Sequence, residues 1–274
     1  MDEAEREDVS EIARIVRVGG HRLLLHSIGV GWPSVVMDAG LGDSSLSSEW
    51  TAIQRQVAVF TQCCGYGRAG LGGSEAGPSQ RTSIEAVEAL HSLLHQASIM
   101  EPYILVGHSL GGLHAQLFAA RYPKEVAGLV LVDATCEEHF SWLARNQLTP
   151  TEMEEQRRIA AGDNPEGIAF DMALTTLQES HWYLDVPLVV LMRDSVPPEE
   201  QPPQWSSEQE IRLLTTWRGA QSDLACRSPQ GKLVIAEHSG HNIQRYRPDL
   251  IIEAIREVVA AARTEPGGNE AARE

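Results

Sequence analysis

The segment Gly107–Gly111 reads GHSLG, a G-x-S-x-G pattern, and its residue types fit nucleophilic catalysis. The apolar run 104–106 precedes it and a stretch with helical spacing follows, which predicts a strand, a sharp turn and a helix. A serine in such a turn, Ser109, stands above the end of a sheet, where its hydroxyl can attack a carbonyl carbon. The pattern therefore predicts a nucleophile elbow; a purely structural strand–helix turn is the alternative.

A serine hydroxyl is a weak nucleophile at neutral pH and needs a general base, usually a histidine, within hydrogen-bond reach. In proteins with this type of turn the chain order is serine, then acid, then histidine. The segment 239–242 reads SGHN and follows a predicted last strand over 232–236. We therefore predict His241 as the base, with His238 as the fallback.

An acid must orient the base, and two aspartates satisfy the chain order. Asp133 directly follows the apolar strand predicted over 129–132, beside the nucleophile's strand. Asp194 lies just beyond the next predicted strand, 188–192, but no glycine turn carries it over the sheet edge. We prefer Asp133 and keep Asp194 as the alternative acid, with Asp223 a third candidate.

An oxyanion hole needs two backbone N–H donors. Leu110 directly follows the nucleophile, and Leu41 lies between two glycines after an apolar strand, so we predict these two N–H groups. The tryptophans that bracket the segment 137–185 are candidates for substrate contacts. The predicted pocket residues are Gly40, His108, Trp142 and Trp182.

Strand patterns alternate with helical patterns along most of the chain, which indicates βαβ units and a mostly parallel sheet covered by helices on both faces. The prediction is an α/β fold, a three-layer αβα sandwich of roughly eight strands. Residues 137–185 break the alternation and are predicted to form an inserted helical cap. The core then comprises 11–136 and 186–262, and residues 1–10 and 263–274 are predicted to be flexible ends.

Three local patterns make predictions that the structure tests directly. The segments 12–18 and 21–28 flank Gly19-Gly20, which predicts a hairpin. The short apolar segment 57–61 predicts a strand. Thr82 or Ser83 is expected to cap a helix that follows.

Composition excludes several classes of function. The 274 residues carry a net charge of −16, which disfavours binding to nucleic acid or to an anionic membrane surface. The N-terminal residues are acidic and no long apolar run exists, so neither a signal peptide nor a membrane span is predicted. The four cysteines show no C-x-x-C spacing, and we expect a cytoplasmic protein without disulfides.

Two further patterns have simpler interpretations. Residues 65–70 spell G-x-G-x-x-G, but more glycines follow where a dinucleotide site would open a helix, so a turn-rich loop is expected. His91 and His95 are spaced four residues apart on a predicted helix, as metal ligands can be. No third ligand is evident in the sequence, so we expect a solvated or packed helix face and no metal.

Together these motifs resemble the α/β-hydrolase fold family, specifically its small esterase-like members, over about residues 12–262. The matching stretches are VVMDAGLG (35–42), YGRAGLG (66–72), GHSLGG (107–112), LVLVD (129–133) and SGH (239–241). Ala39 stands where relatives usually carry histidine, and Gly67 where they often carry aspartate. The resemblance implies a triad of Ser109, His241 and an acid, with no cofactor.

The predicted function is hydrolysis of a carboxylic ester, lactone or thioester of a small, neutral and partly apolar molecule. The same triad can serve perhydrolase, C–C hydrolase or acyltransferase chemistry, and the fold can persist as a non-catalytic ligand-binding module. Dehalogenase and epoxide-hydrolase chemistry is disfavoured, because those members place aspartate where Ser109 stands.

Overall fold

The computed structural model describes residues 10–146, 149–197 and 206–264. Nearly all of the two predicted flexible ends, residues 1–9 and 265–274, lies outside these ranges. In the described part of the chain, no helix combines the length and apolar character needed to cross a membrane.

A twisted sheet of eight strands forms the centre of the molecule, and strands are numbered here in chain order. Its members are β1 (Glu11–Val18), β2 (His21–Ile28), β3 (Ser34–Asp38), β4 (Cys63–Tyr66), β6 (Tyr103–His108), β7 (Val126–Val132), β9 (Leu188–Arg193) and β10 (Gly231–Ala236). The short strands β5 (Arg81–Thr82) and β8 (Ile168–Ala169) pair with each other outside it. The order across the large sheet is β1-β2-β4-β3-β6-β7-β9-β10.

The pairings β1–β2 and β2–β4 are antiparallel and every other pairing in the large sheet is parallel. The predicted hairpin at Gly19-Gly20 is therefore confirmed, and so is the predicted α/β architecture with a mostly parallel, eight-stranded sheet. In a parallel sheet all carboxyl ends lie at one edge, so loops that follow β3, β6, β7, β9 and β10 converge there.

Helices cover both faces of the sheet. One face packs against α1 (Ser48–Val57), α8 (Ile243–Tyr246) and α9 (Pro248–Thr264), and the other against α2 (Ser83–Gln96), α3 (Leu110–Arg121) and α7 (Ser207–Ala225). Side chains of β6 alternate between the two cores: Ile104 and Val106 join the first, and Leu105 the second. This alternation is the period of a strand that is buried on both sides.

The segment 137–185 contains α4 (His139–Arg145), α5 (Pro150–Ala160) and α6 (Asp171–Ser180). It attaches to the rest of the molecule through packing of α6 on α3 and through the β5–β8 pair. Its description as a separate cap remains a prediction.

The predicted strand at 57–61 is wrong. Val57 is the last residue of α1 and is fully buried with Trp50 and Ile53, which lie seven and four residues earlier on the same helical face. The apolar residues at this point therefore complete a helix, and the strand, β4, starts six residues later at Cys63.

The start of α2 is a capping box, as predicted for Thr82. Its hydroxyl accepts a hydrogen bond from the Glu85 N–H at 3.2 Å, and the Glu85 carboxylate accepts one from the Thr82 N–H at 2.7 Å. These two bonds satisfy N–H groups that a helix start would otherwise leave without partners.

Candidate active site

Ser109 stands in the turn between β6 and α3 with a backbone φ of 52° and ψ of −115°. A non-glycine residue is strained there by about 1–3 kcal/mol. The turn closes only with glycine on both sides: a Cβ on Gly107 would lie 2.3 Å from the Gly111 carbonyl oxygen, and a Cβ on Gly111 would lie 2.2 Å from that of Asp38. The geometry is that of the predicted elbow, with Ser109 at the carboxyl edge of the sheet.

His241 lies in the loop between β10 and α8, at the same edge. Its Nδ1 lies 2.6 Å from Oδ2 of Asp133, the residue that directly follows β7. The Asp133 side chain is fully buried, whereas the His241 side chain is 31% exposed. The histidine thus meets a carboxylate on its inner side and remains accessible from solvent.

Two further side chains hold the Asp133 carboxylate, and sequence analysis named neither of them. The Trp217 indole N–H donates to Oδ1 at 2.7 Å, and Arg193 donates to Oδ2 from Nε at 2.7 Å and to Oδ1 from its backbone N–H at 3.1 Å. Burial alone would raise the pKa of Asp133, but the Arg193 charge and the hydrogen bond with His241 hold that pKa well below its usual range.

Of these two residues, only Arg193 could have been placed beside Asp133 from the sequence. It ends β9, the strand paired with β7, so its backbone lies beside Asp133. Trp217 comes from α7, 84 residues further along the chain, and no spacing rule links it to Asp133.

The Arg193 Nη2 also lies 3.2 Å from the His241 Nδ1. The guanidinium has no acceptor, and the Nδ1 hydrogen is needed for the 2.6 Å bond to Asp133, so this contact is a close approach of two donors. A fixed cation therefore stands beside the imidazole, and the Asp133 carboxylate lies against both.

The alternative acid, Asp194, does not meet the imidazole. Its Oδ1 accepts a hydrogen bond from the Ser239 N–H at 3.1 Å, and its own N–H donates to the Ser239 carbonyl at 3.3 Å. Asp194 thus braces the backbone of the loop that carries His241. The third candidate, Asp223, is exposed on α7, and the fallback base, His238, is also exposed.

The loop after β3 lies against the elbow. A Cβ on Gly40 would lie 2.9 Å from the His108 Nδ1 and 3.4 Å from the Ser109 Cβ, so only glycine brings the backbone this close. Among the hydrogen bonds within the described residues, none uses the N–H of Leu41 or Leu110. Their role as oxyanion donors remains a prediction.

The buried Arg68 side chain holds this loop through hydrogen bonds to its backbone. Its guanidinium donates to the carbonyl oxygens of Ala39 at 2.7 Å, Gly40 at 2.6 Å and Asp43 at 3.2 Å. Three backbone carbonyls of the loop are thereby bonded to one buried side chain.

Arg68 is paired in turn with two buried carboxylates, Asp38 at 2.5 Å and Glu166 at 2.6 Å. The exposed fractions of the three side chains are 3%, 6% and 1%. Glu166 belongs to the segment 137–185 and also accepts the Gly42 N–H at 2.7 Å. Burial opposes ionisation of Asp38, but the Arg68 charge lowers its pKa to about 2, so this buried network stays ionised.

The predicted pocket residues fall into different surroundings. His108 is buried, its Nε2 donates to the His241 carbonyl at 3.0 Å, and burial lowers its pKa to about 3, so the ring is neutral. Trp142 packs with ring centroids 4.5 Å apart against Trp217, the residue that donates to Asp133. Trp182 is buried in the core on the α2–α3 face, with the Arg227 guanidinium 5.8 Å from its ring centroid.

Comparison with known proteins gives a consistent picture. Residues 33–181 match the family model for the alpha/beta hydrolase fold. The uncharacterized protein YqjL of Bacillus subtilis (strain 168) is 29% identical over 245 residues, which cover 86% of this chain and 87% of YqjL.

Two solved structures share the fold. Alpha/beta hydrolase domain-containing protein 10 from mouse superposes with a TM-score of 0.65 at 17% identity, covering 91% of this chain and 98% of that one. A thermophilic esterase from Thermogutta terrifontis superposes with a TM-score of 0.62 at 19% identity, covering 93% and 100%. At such identities the likeness concerns the fold alone.

Proposed function

This chain belongs to the α/β-hydrolase family, and we propose that it is a serine hydrolase that cleaves a carboxylic ester or a related acyl bond through an acyl-enzyme on Ser109. The observation that carries the proposal is the 2.6 Å contact between His241 Nδ1 and Asp133 Oδ2, at the sheet edge where the elbow presents Ser109. A base held by a buried carboxylate, at the same sheet edge as a half-buried, strained serine, is the arrangement that acyl transfer requires.

In the proposed first half-reaction, the Ser109 Oγ attacks the carbonyl carbon of the substrate and His241 Nε2 takes its proton. The N–H groups of Leu41 and Leu110 bind the oxyanion of the tetrahedral intermediate. The intermediate collapses, the bond to the leaving group breaks, and the leaving alcohol or thiol takes the proton from His241. In the second half-reaction His241 deprotonates water, which attacks the acyl-enzyme and releases the acid.

Asp133 has the role of the orienting acid in this scheme. Its carboxylate fixes the imidazole with the hydrogen on Nδ1, so that Nε2 is the nitrogen that acts as the base. Arg193 and Trp217 prevent the carboxylate from rotating.

Arg68 is proposed as a positioning residue for the oxyanion loop. The C=O and N–H of one trans peptide point in opposite directions, so the bond from Arg68 to the Gly40 carbonyl directs the Leu41 N–H away from the guanidinium. The bonds to the carbonyls of Ala39 and Asp43 hold the neighbouring parts of the loop. A preorganised loop stabilises a developing oxyanion without reorganising during the reaction.

A covalent serine probe tests this proposal. The purified protein and its Ser109→Ala and Asp194→Asn variants are incubated with a fluorophosphonate and assayed on p-nitrophenyl acetate and butyrate. We expect labelling and turnover by the wild type and by Asp194→Asn, and loss of both in Ser109→Ala.

Two outcomes would contradict the proposal. If folded wild-type protein is not labelled, the triad is not assembled, and a ligand-binding role replaces hydrolysis. If the probe labels Ser109 but water does not release the acyl group while an added alcohol or peroxide does, the reaction is acyl transfer or perhydrolysis rather than hydrolysis.

A further inference from the structure

A second group of histidines and a carboxylate lies at the opposite edge of the sheet. His91 and His95 project from the same face of α2, and both point Nε2 at Glu125: the His91 Nε2 lies 3.0 Å from Oε1 and the His95 Nε2 lies 3.1 Å from Oε2. The three ligand atoms all lie within 4.8 Å of one another. Among the described residues, no other group of three potential ligands is this compact.

The third ligand comes from a distant part of the chain. Glu125 ends a 3₁₀ turn (Pro123–Glu125) between α3 and β7 and lies 30 residues beyond His95. A second carboxylate is close, because the Glu101 Oε2 lies 3.6 Å from the His95 Nε2. Two imidazoles, one firmly placed carboxylate and one neighbouring carboxylate are therefore available at one point.

The spacing fits a tetrahedral metal ion. Zn²⁺ binds histidine nitrogen and carboxylate oxygen at about 2.0–2.2 Å, which places tetrahedral ligand atoms roughly 3.3 Å apart. The observed nitrogen–oxygen separations of 3.0 and 3.1 Å, each to a different oxygen of Glu125, are close to this value. The three ligand atoms lie within 4.8 Å of one another, so side-chain rotations can bring them to one ion.

The ligands are both oriented and accessible. The His91 ring stacks on Tyr122 with centroids 3.9 Å apart and an interplanar angle of 6°, which holds the direction of its nitrogens. The His91, His95 and Glu125 side chains are 25%, 47% and 18% exposed, so an ion can reach them from solvent.

The cluster is remote from the proposed triad. Glu125 immediately precedes β7 and Asp133 immediately follows it, and seven strand residues separate them by about 20 Å or more. An ion bound at Glu125 cannot contact Ser109 or His241.

We propose that His91, His95 and Glu125 bind a divalent transition-metal ion, Zn²⁺ foremost, with Glu101 or water as the fourth ligand. Imidazole and carboxylate together suit Zn²⁺ better than Mg²⁺ or Ca²⁺, which prefer sites made only of oxygen. The ion ties α2 to the turn that enters β7. Because the unfolded chain does not hold the three groups together, binding stabilises the folded state.

The test is zinc titration of tag-free, chelator-treated protein, followed by calorimetry and by thermal unfolding. We expect one Zn²⁺ per chain and a higher melting temperature with zinc than without. Co²⁺ in place of Zn²⁺ should give the intense visible absorption of a tetrahedral ion. His91→Gln, His95→Gln and Glu125→Gln should each lower the zinc affinity at least about tenfold.

His26→Gln is the matched control. The His26 Nε2 also faces a carboxylate, Glu11 at 2.9 Å, but no second histidine shares that pair. We expect this variant to bind zinc as the wild type does, and Ser109→Ala likewise, since the triad is remote. Circular dichroism of each variant without metal shows whether it is folded.

Either of two results would overturn the proposal. One is the absence of saturable zinc binding by the wild type at concentrations up to about 1 mM, a very weak affinity; the cluster would then be only a hydrogen-bonded trio. The other is zinc binding that survives in the folded double variant His91→Gln, His95→Gln, which would place the ion elsewhere.

Discussion

One carboxylate directly precedes β7 and another directly follows it, and each of them contacts histidine. The surroundings of the two carboxylates differ. Asp133, at the carboxyl end, is fully buried and pairs with one histidine, His241, while Arg193 and Trp217 hold the same carboxylate. Glu125, at the amino end, is partly exposed and faces two histidines. A carboxylate surrounded by fixed donors can orient a single imidazole, whereas a carboxylate shared by two accessible imidazoles can bind a metal ion together with them.

The electrostatic causes differ as well. Burial would raise the pKa of both carboxyl groups, and hydrogen bonds to histidine lower both. At Asp133 the largest lowering cause is the charge of Arg193, a permanent cation. At Glu125 the causes that lower the pKa are hydrogen bonds and charge from His91 and His95 alone. A permanently charged arginine therefore stands beside Asp133, whereas only histidines stabilise the ionised form of Glu125.

The largest expected effect comes from Asp133→Asn. An amide in this place favours the wrong imidazole tautomer, and we expect kcat for ester hydrolysis to fall by about 10³–10⁴-fold. The measurement is kcat and KM on a p-nitrophenyl ester for this variant beside Asp194→Asn and Glu125→Gln. Should Asp194→Asn lose as much activity as Asp133→Asn, the assignment of the acid is wrong.

The next largest effect is expected for Arg68→Met. Removing the guanidinium leaves the buried carboxylate of Asp38 without its arginine, and leaves Glu166 with only Arg81 at 3.3 Å, which we expect to lower the free energy of unfolding by about 3–5 kcal/mol. Denaturant unfolding measures this loss. The exposed ion pair of Arg22 with Glu75 supplies the control, since water screens this pair and Arg22→Met should cost far less stability. Equal losses in the two variants would refute the role given to the buried network.

A smaller effect concerns pH and the buried His108. Its pKa is lowered to about 3 in the folded protein against 6.5 in the unfolded chain, so the folded state favours the neutral ring. This contribution to stability is complete above 6.5 and is lost as the pH falls toward 3. Between pH 7 and pH 5 the loss is about 2 kcal/mol. Between pH 7 and pH 5 the free energy of unfolding in urea should fall less for His108→Gln than for the wild type. An equal fall in both proteins would contradict this role of His108.

The smallest effect is expected for Glu125→Gln without metal. The side chain is partly exposed and remote from the proposed triad, so we expect a change of less than about 1 kcal/mol in the free energy of unfolding and no change in kcat. With zinc present, the difference in melting temperature between this variant and the wild type should widen. A large drop in kcat without metal would mean that the two ends of β7 are coupled.

The elbow illustrates what could be predicted from the sequence. The two glycines around Ser109, the apolar strand before it and the helical pattern after it are all local, and local sterics decide the turn. The position of the loop with His241 followed from counting strands along the chain. The fold class followed in the same way, from the alternation of strands and helices.

The choice between the two candidate acids could not be made from the order of elements along the chain. Asp133 and Asp194 both follow strands that end at the same sheet edge, so their positions in the chain do not separate them. Their side-chain directions do: Asp133 has a positive φ of 43° and points at His241, whereas Asp194 bonds to the backbone of Ser239. Likewise, spacing in α2 identified His91 and His95 as a pair, but only packing of α3 and its following turn brings Glu125 to them.

The sequence by itself determined the order of elements, the elbow and the loop that carries the histidine, because strand periodicity, glycine sterics and capping are properties of neighbouring residues. The tertiary structure alone decided which carboxylate meets which histidine, how Arg68 fastens the loop at Gly40, and that the His91 and His95 pair gains a third ligand. These are contacts between residues distant in sequence, and their geometry depends on how helices and loops pack around the sheet.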